Sequence, residues 1–361
     1  MVKEQRKSVK NFGGGGQQRN SNLELFRIIT MICIVAHHYV VNSGLRELIA
    51  QNNTVDLQSV FLLLFGWGGK MGINCFVLIT GYFMCRSQIT AKKFLKLIGE
   101  RYFYAIVIFV VFVATGYAQF SGKELLKVLF PFFTVQSNFM ACYLLFYLFI
   151  PFLNKLIEVM SEKEHLLLIG LCLFIYTILP SFAFAAVSFN YVTWFIVLYF
   201  VASYLRIYEK VWFGNTKLWG GLTVISLLVS WTSVIVLEFF EKWTGHTGYA
   251  YFFVADSNKI LAFVTAVCAF MFFKNVKIPQ SRIINRIATS TLGVLLIHAN
   301  SDAMRNWLWK DVLKNVTYYN SPFLVLHALG AVGGIYLICT VIDQLRIRLI
   351  EVPLFKRLEK R

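Results

Sequence analysis

The sequence predicts an all-α polytopic membrane protein with about ten transmembrane helices and both termini in the cytoplasm. Three observations predict it. Hydrophobic residues make up 58% of the 361 and charged residues 15%, with a mean hydropathy of +0.63, a balance too apolar for a water-soluble domain. Apolar stretches recur at lengths near the ~20 residues that a helix needs to cross a bilayer. With the N-terminus inside, the cytoplasmic segments hold 25 Lys and Arg and the outside loops 8, the asymmetry that sets membrane orientation.

The elements follow in order. Residues 1–21 are polar and basic, include the run Gly13 to Gly16, and read as a disordered cytoplasmic tail with no cleavable signal. The first span is 22–41. The second, 59–84, carries Gly66, Gly68, Gly69, Gly72 and Gly81, which permit close approach of another helix or of a ligand. A basic loop from Arg86 to Arg101 leads to the third span at 102–118. The fourth, 139–153, contains Tyr143 and Tyr147 and ends at Pro151. Spans at 165–184, 190–205, 218–239, 259–273, 288–304 and 323–343 complete the series, and the short apolar stretches 128–134 and 183–188 read as re-entrant or interfacial pieces. The membrane domain is thus 22–343, followed by a basic cytoplasmic tail at 344–361.

The net charge of +17 reads as topology and attraction to anionic membrane lipid, since it is scattered over short loops with no basic domain to bind nucleic acid. All seven cysteines lie within or at the ends of apolar segments without CxxC or Cys/His spacing, so neither disulfides nor a metal site is expected. The chain contains no GxSxG elbow, P-loop, dinucleotide-binding glycine fingerprint or HExxH.

The informative residues are the polar ones inside apolar segments, because ionisable groups there are costly and normally face a protein interior or a polar cavity. In NSNLELFRIITMICIVAHHYV, Arg27 and His38 lie eleven positions apart, about three turns and ~16 Å along one helix face. Glu24 shares that face. His37 is rotated by ~100° and reads as an orienting or packing residue. Arg27 taken alone also fits an interfacial arginine that snorkels. Lys70 has the same default reading. Counting residues from the cytoplasmic ends of their spans puts His38, Asn74 and His298 in one layer near the membrane middle. Asn300 and Asp302 add polarity to the ninth span, where Asp302 is also placed for an intrahelical contact with His298.

These segments resemble the acyltransferase-3 family of bacterial integral-membrane acyltransferases. The resemblance runs from about Ser21 to Asp343. It is strongest in LELFRIITMICIVAHH, with the family's arginine-ten-histidine spacing at Arg27 and His38, and in GINCFVLITGYFM, where Thr80 replaces the usual serine and precedes Tyr82. LLFYLFIPFLNKLI, WFIVLYFVASYLRIY and STLGVLLIHANSDAMRNWLW are also similar. One departure is the loop after the second span, where Lys92, Lys93, Lys96 and Arg101 stand in place of a paired-arginine motif.

The resemblance implies acetyl-CoA as a cytoplasmic donor, a cell-surface or lipid-linked glycan as acceptor, and residence in the bacterial cytoplasmic membrane. It suggests that Arg27, Tyr82, Lys92, Lys93, Lys96 and Arg101 meet the CoA moiety, with less bidentate phosphate recognition by the lysines. His38 becomes the general base, or alternatively a transient acyl carrier. Asn74, Thr80 and His298 are candidates to donate to the oxyanion, with Glu24 and His37 supporting Arg27 and His38. The competing class is a polytopic transporter or lipid-linked-glycan flippase lined by the same polar residues, although no inverted repeat is evident.

Overall fold

The computed structural model describes residues 20–135, 138–182, 187 and 190–358, and every regular element among them is helical. Most of the expected tail at 1–21 and most of the stretch 183–188 lie outside the described residues. The helices are α1 (Ser21–Val41), α2 (Leu45–Gln51), α3 (Leu57–Gly66), α4 (Gly69–Met84), α5 (Ala91–Ala114), α6 (Gly122–Leu129), α7 (Phe139–Val159), α8 (Glu162–Leu173), α9 (Leu179–Phe182), α10 (Tyr191–Ile207), α11 (Thr216–Thr244), α12 (Ile260–Asn275), α13 (Arg282–Ala288), α14 (Thr291–His298), α15 (Asp302–Asn306), α16 (Leu324–Arg346) and α17 (Val352–Leu358).

Seven helical stretches among the described residues are long and apolar enough to cross a membrane, and α10 and α12 are shorter apolar helices. Polar residues set their starts, because a side-chain oxygen just before an apolar run satisfies N–H groups that have no partner within the helix. Asp56 and Ser59 form a capping box on α3, Asn138 accepts from Met140 and Ala141 at the start of α7, and Ser161 and Glu164 cap α8. Away from the core, large apolar side chains such as Phe152, Val224 and Leu337 are exposed, as expected of faces solvated by lipid tails.

Three expectations about boundaries are corrected, the first at Pro151, which does not end its helix because α7 continues through it to Val159. The third span does not begin at 102, because Thr90 caps a helix that already starts at Ala91. Lys92, Lys93, Lys96 and Arg101 therefore occupy the first turns of α5 and not a loop. The ninth span is not continuous: α14 stops at His298, Asn300 donates back to the Leu296 carbonyl at 2.9 Å, and Ser301 caps α15 by accepting from the Met304 N–H. Asp302 consequently pairs with Arg305 and does not reach His298 as an intrahelical partner. Beyond residue 343 the chain stays helical to Leu358 through a π-turn at Ile347–Glu351.

The site is positioned by α1, which packs against α3, α4, α13, α14 and α16. Close approach to α4 depends on glycine. A Cβ at Gly69 would fall 2.2 Å from Cγ of His37, and one at Gly293 would fall 2.3 Å from Cγ of Asp343, both far inside van der Waals contact. The packing reading of the glycines therefore holds at Gly69. At the α1 N-terminal end, α5 and α16 are joined by a buried ion network. Arg346 meets Asp343 at 2.8 Å, Glu351 at 2.8 Å and Glu100 at 3.2 Å, while Tyr104 donates to Asp343 at 2.7 Å. Removing one member of such a network strands the others, at a cost of about 3–5 kcal/mol.

Candidate functional site

The side chain of His38 meets that of His298, with Nδ1 of His38 2.9 Å from Nε2 of His298. The second nitrogen of His298 fixes the protons. Its Nδ1 lies 2.6 Å from the Val294 carbonyl, and a carbonyl only accepts, so His298 carries its hydrogen on Nδ1 and presents a lone pair at Nε2. The Nδ1–H of His38 must then donate to that lone pair, which leaves Nε2 of His38 as an unprotonated ring nitrogen. His298 is fully buried and His38 half-buried.

His38 lines a cavity of about 300 Å³ that is also bounded by His37, Lys70, Arg101, Asn300 and Arg305 among its polar residues, and by Met31, Ile34, Ile73, Phe76 and Leu295 among its apolar ones. A half-apolar chamber with a few convergent polar groups is the usual form of a small-ligand site. His37 donates Nδ1–H to the Gly66 carbonyl at 2.6 Å, which orients its ring beside His38, with centroids 5.9 Å apart. On the same cavity wall, Lys70 donates to the Tyr191 hydroxyl at 2.7 Å and lies 3.4 Å from Asp256, to which Tyr191 donates at 2.9 Å. Lys70 is thus turned inward, where the default expectation was snorkelling.

The remaining sequence-selected residues are dispersed. Asn74 is completely buried, donating to the Ser257 carbonyl at 2.7 Å and accepting from Trp194 at 2.8 Å, and it does not border the cavity. Thr80 donates to the Phe76 carbonyl at 3.0 Å and sits 2.9 Å from the Tyr143 hydroxyl. Tyr82 accepts from Arg206 at 2.7 Å. Arg27 forms a forked contact with Glu24, at 3.0 and 3.1 Å to its two oxygens, about four turns before the end of α1.

The α5 cluster divides. Lys92, Lys93 and Lys96 are exposed. Lys93 donates to Ser87 and to the Gln88 carbonyl, and Lys96 pairs with Glu351 at 2.6 Å. Arg101 is buried, borders the cavity, and donates to the Lys127 and Val128 carbonyls at the C-terminal end of α6, where the helix dipole favours a cation.

Asn42, Arg305 and Tyr191 border the cavity but were not singled out from the sequence. Asn42 carried a usable signal, since it stands four positions after His38 and so on nearly the same face. Arg305 and Tyr191 carried none, because their place depends on where α14 breaks and where α10 docks. Among the described residues no group of three or more His, Cys, Asp or Glu could hold a metal ion.

Comparison with known proteins gives one match. A family model described as an acyltransferase domain, that of acyltransferase-3, matches residues 20–344, a stretch that includes α1 through α15, most of α16, and every residue of the histidine-lined cavity. No curated protein and no solved structure matches the chain. Within that matched stretch, His38 lines the cavity and is held in one tautomer by His298. The chain belongs to the acyltransferase-3 family and is an enzyme that transfers acyl groups.

Proposed function

We propose that this enzyme moves acetyl from cytoplasmic acetyl-CoA to a hydroxyl of a cell-surface or lipid-linked glycan, within the bacterial cytoplasmic membrane and with both termini inside. The observation that carries the reading is His38, which lines the cavity while its ring is held by the buried His298. Nε2 of His38 takes the proton of the acceptor hydroxyl as its oxygen attacks the thioester carbon. The imidazolium so formed keeps its Nδ1–H on His298, which serves as a fixed acceptor: its own proton is committed to the Val294 carbonyl, so no further relay runs through it.

The donor is assigned to the α1 N-terminal end, where Arg27 and the exposed Lys92, Lys93 and Lys96 supply positive charge for phosphates. Arg101 is assigned deeper, at the cavity, and not with that surface cluster. Asn74 and Thr80 are assigned to holding α4 against its neighbours, since their polar atoms already have protein partners. The loop asymmetry of 25 against 8 basic residues supports the orientation.

Acetyl transfer from acetyl-CoA to membrane carbohydrate tests the reading. His38→Ala, present at wild-type abundance, is expected to lose transfer by about 10²–10⁴-fold. Wild-type transfer by that variant would remove His38 from the chemistry.

A further inference from the structure

Asn74, Thr80 and His298, the oxyanion donors expected from the sequence, each already hold a protein acceptor. Asn74 donates to the Ser257 carbonyl, Thr80 to the Phe76 carbonyl, and the single N–H of His298 to the Val294 carbonyl. Asn300, which also borders the cavity, donates one of its two amide N–H groups to the Leu296 carbonyl. Asn42, which borders the cavity too, differs in leaving a buried amide nitrogen, Nδ2, without a hydrogen-bond partner among the described residues. It caps the C-terminus of α1, one turn beyond His38, and its backbone N–H is held by the His38 carbonyl at 3.1 Å. The two side chains are therefore fixed to one rigid element at adjacent points of the same chamber. A desolvated N–H without an acceptor is destabilising, and such groups in native structures call for an explanation. A substrate oxygen that gains charge during the reaction supplies one.

We propose that Asn42 is a catalytic residue of the acyl transfer, donating Nδ2–H to the thioester carbonyl oxygen as negative charge develops there. This rests on the acyl-transfer reading above. The acceptor oxygen forms the new C–O bond to the thioester carbon, the carbonyl π pair moves onto the oxygen held by Asn42, and the hydroxyl proton passes to Nε2 of His38. On collapse the C=O bond re-forms and the C–S bond breaks. Its electron pair leaves on sulfur, which takes the proton back from His38 and departs as the CoA thiol. A donor aimed at the oxygen of the tetrahedral state acts on kcat and leaves ground-state binding nearly untouched.

The test uses membranes containing the full chain, radiolabelled acetyl-CoA, and alkali-labile label in membrane carbohydrate as the readout. Asn42→Asp is nearly isosteric and exchanges the donor for an acceptor, while Asn42→Leu removes it. Both are expected to lower kcat by about 10²–10³-fold with the KM for acetyl-CoA unchanged. Asn42→Gln and Asn42→Ser keep a donor, and at least one of them should recover part of the activity. Wild-type kcat in Asn42→Asp at normal abundance would overturn the assignment, as would equal losses in all four variants, which would indicate packing. A folded wild-type protein that transfers no label would instead sink the acetyl-transfer reading, so the two failures are distinguishable.

Discussion

His298→Ala removes a residue that touches neither donor nor acceptor in the mechanism above, yet the geometry makes it consequential. In the wild-type protein the Nδ1–H of His38 has one acceptor, Nε2 of His298, 2.9 Å away, and that nitrogen is a lone pair only because Nδ1 of His298 is committed to the Val294 carbonyl at 2.6 Å. Truncation leaves the Nδ1–H of His38 without a partner in a half-buried ring. The other tautomer, with the proton on Nε2 and no base facing the cavity, then loses its disadvantage. The hydrogen bond itself is worth about 1 kcal/mol, but the loss in rate is larger, because an imidazole in the wrong tautomer or rotamer forfeits the general-base contribution of about 10²–10⁴-fold. A fall of about 10²-fold in kcat, or roughly 2.7 kcal/mol of transition-state stabilisation, is the expected result, with the KM for acetyl-CoA unchanged. His298→Gln, which offers an amide oxygen to the same proton, should recover part of it. Steady-state acetyl transfer in membranes at matched abundance is the assay. Unchanged kcat in His298→Ala would refute the tautomer argument, and so would a loss confined to KM.

Two further predictions concern the frame around the site. Gly69→Ala places a methyl 2.2 Å from the ring of His37, so the ring must leave the Gly66 carbonyl or α1 and α4 must part; a stability loss of about 1–3 kcal/mol is expected, read as a lowered melting temperature in detergent, and an unchanged melt would show that the helices yield freely. Asp56 is pulled both ways: burial raises its pKa, but the Ser59 N–H at 2.6 Å and the Tyr319 hydroxyl at 2.8 Å outweigh it and hold the carboxyl below its usual value. A depressed folded pKa stabilises above the unfolded value near pH 4 and is lost as pH falls through the folded one. Asp56→Ala should therefore cost about 0.5–2 kcal/mol at neutral pH, with a melting gap that narrows on acidification; a gap that widens would contradict the assignment.

How much was legible varies with the kind of information each feature needs. Arg27 and His38 share one helix, so their spacing along α1 follows from helical geometry alone. Depth counting also brought His38 and His298 into one layer, and the fold joins them across 260 positions. The same counting put Asn74 beside them, but depth is one coordinate and the face a residue presents is another. Asn74 turns to Trp194 and Ser257 because α10 and the residues before α12 pack on that side of α4. Reading basic residues as loop misplaced the start of α5, since Thr90 caps a helix that runs straight through the lysines.

The sequence by itself determined the class of fold, a helical membrane protein, because hydropathy, loop charge and cap residues act locally and need no partner. It also determined that one helix carries both Arg27 and His38. Only the tertiary structure decided which nitrogen of His38 bears the proton, since that depends on His298 and through it on the Val294 carbonyl. The break after His298, the inward turn of Lys70 and the unspent amide of Asn42 were decided the same way. Each is a hydrogen bond made or left unmade by chain segments that meet only when the helices pack, and the chemistry of the cavity is set at those meetings.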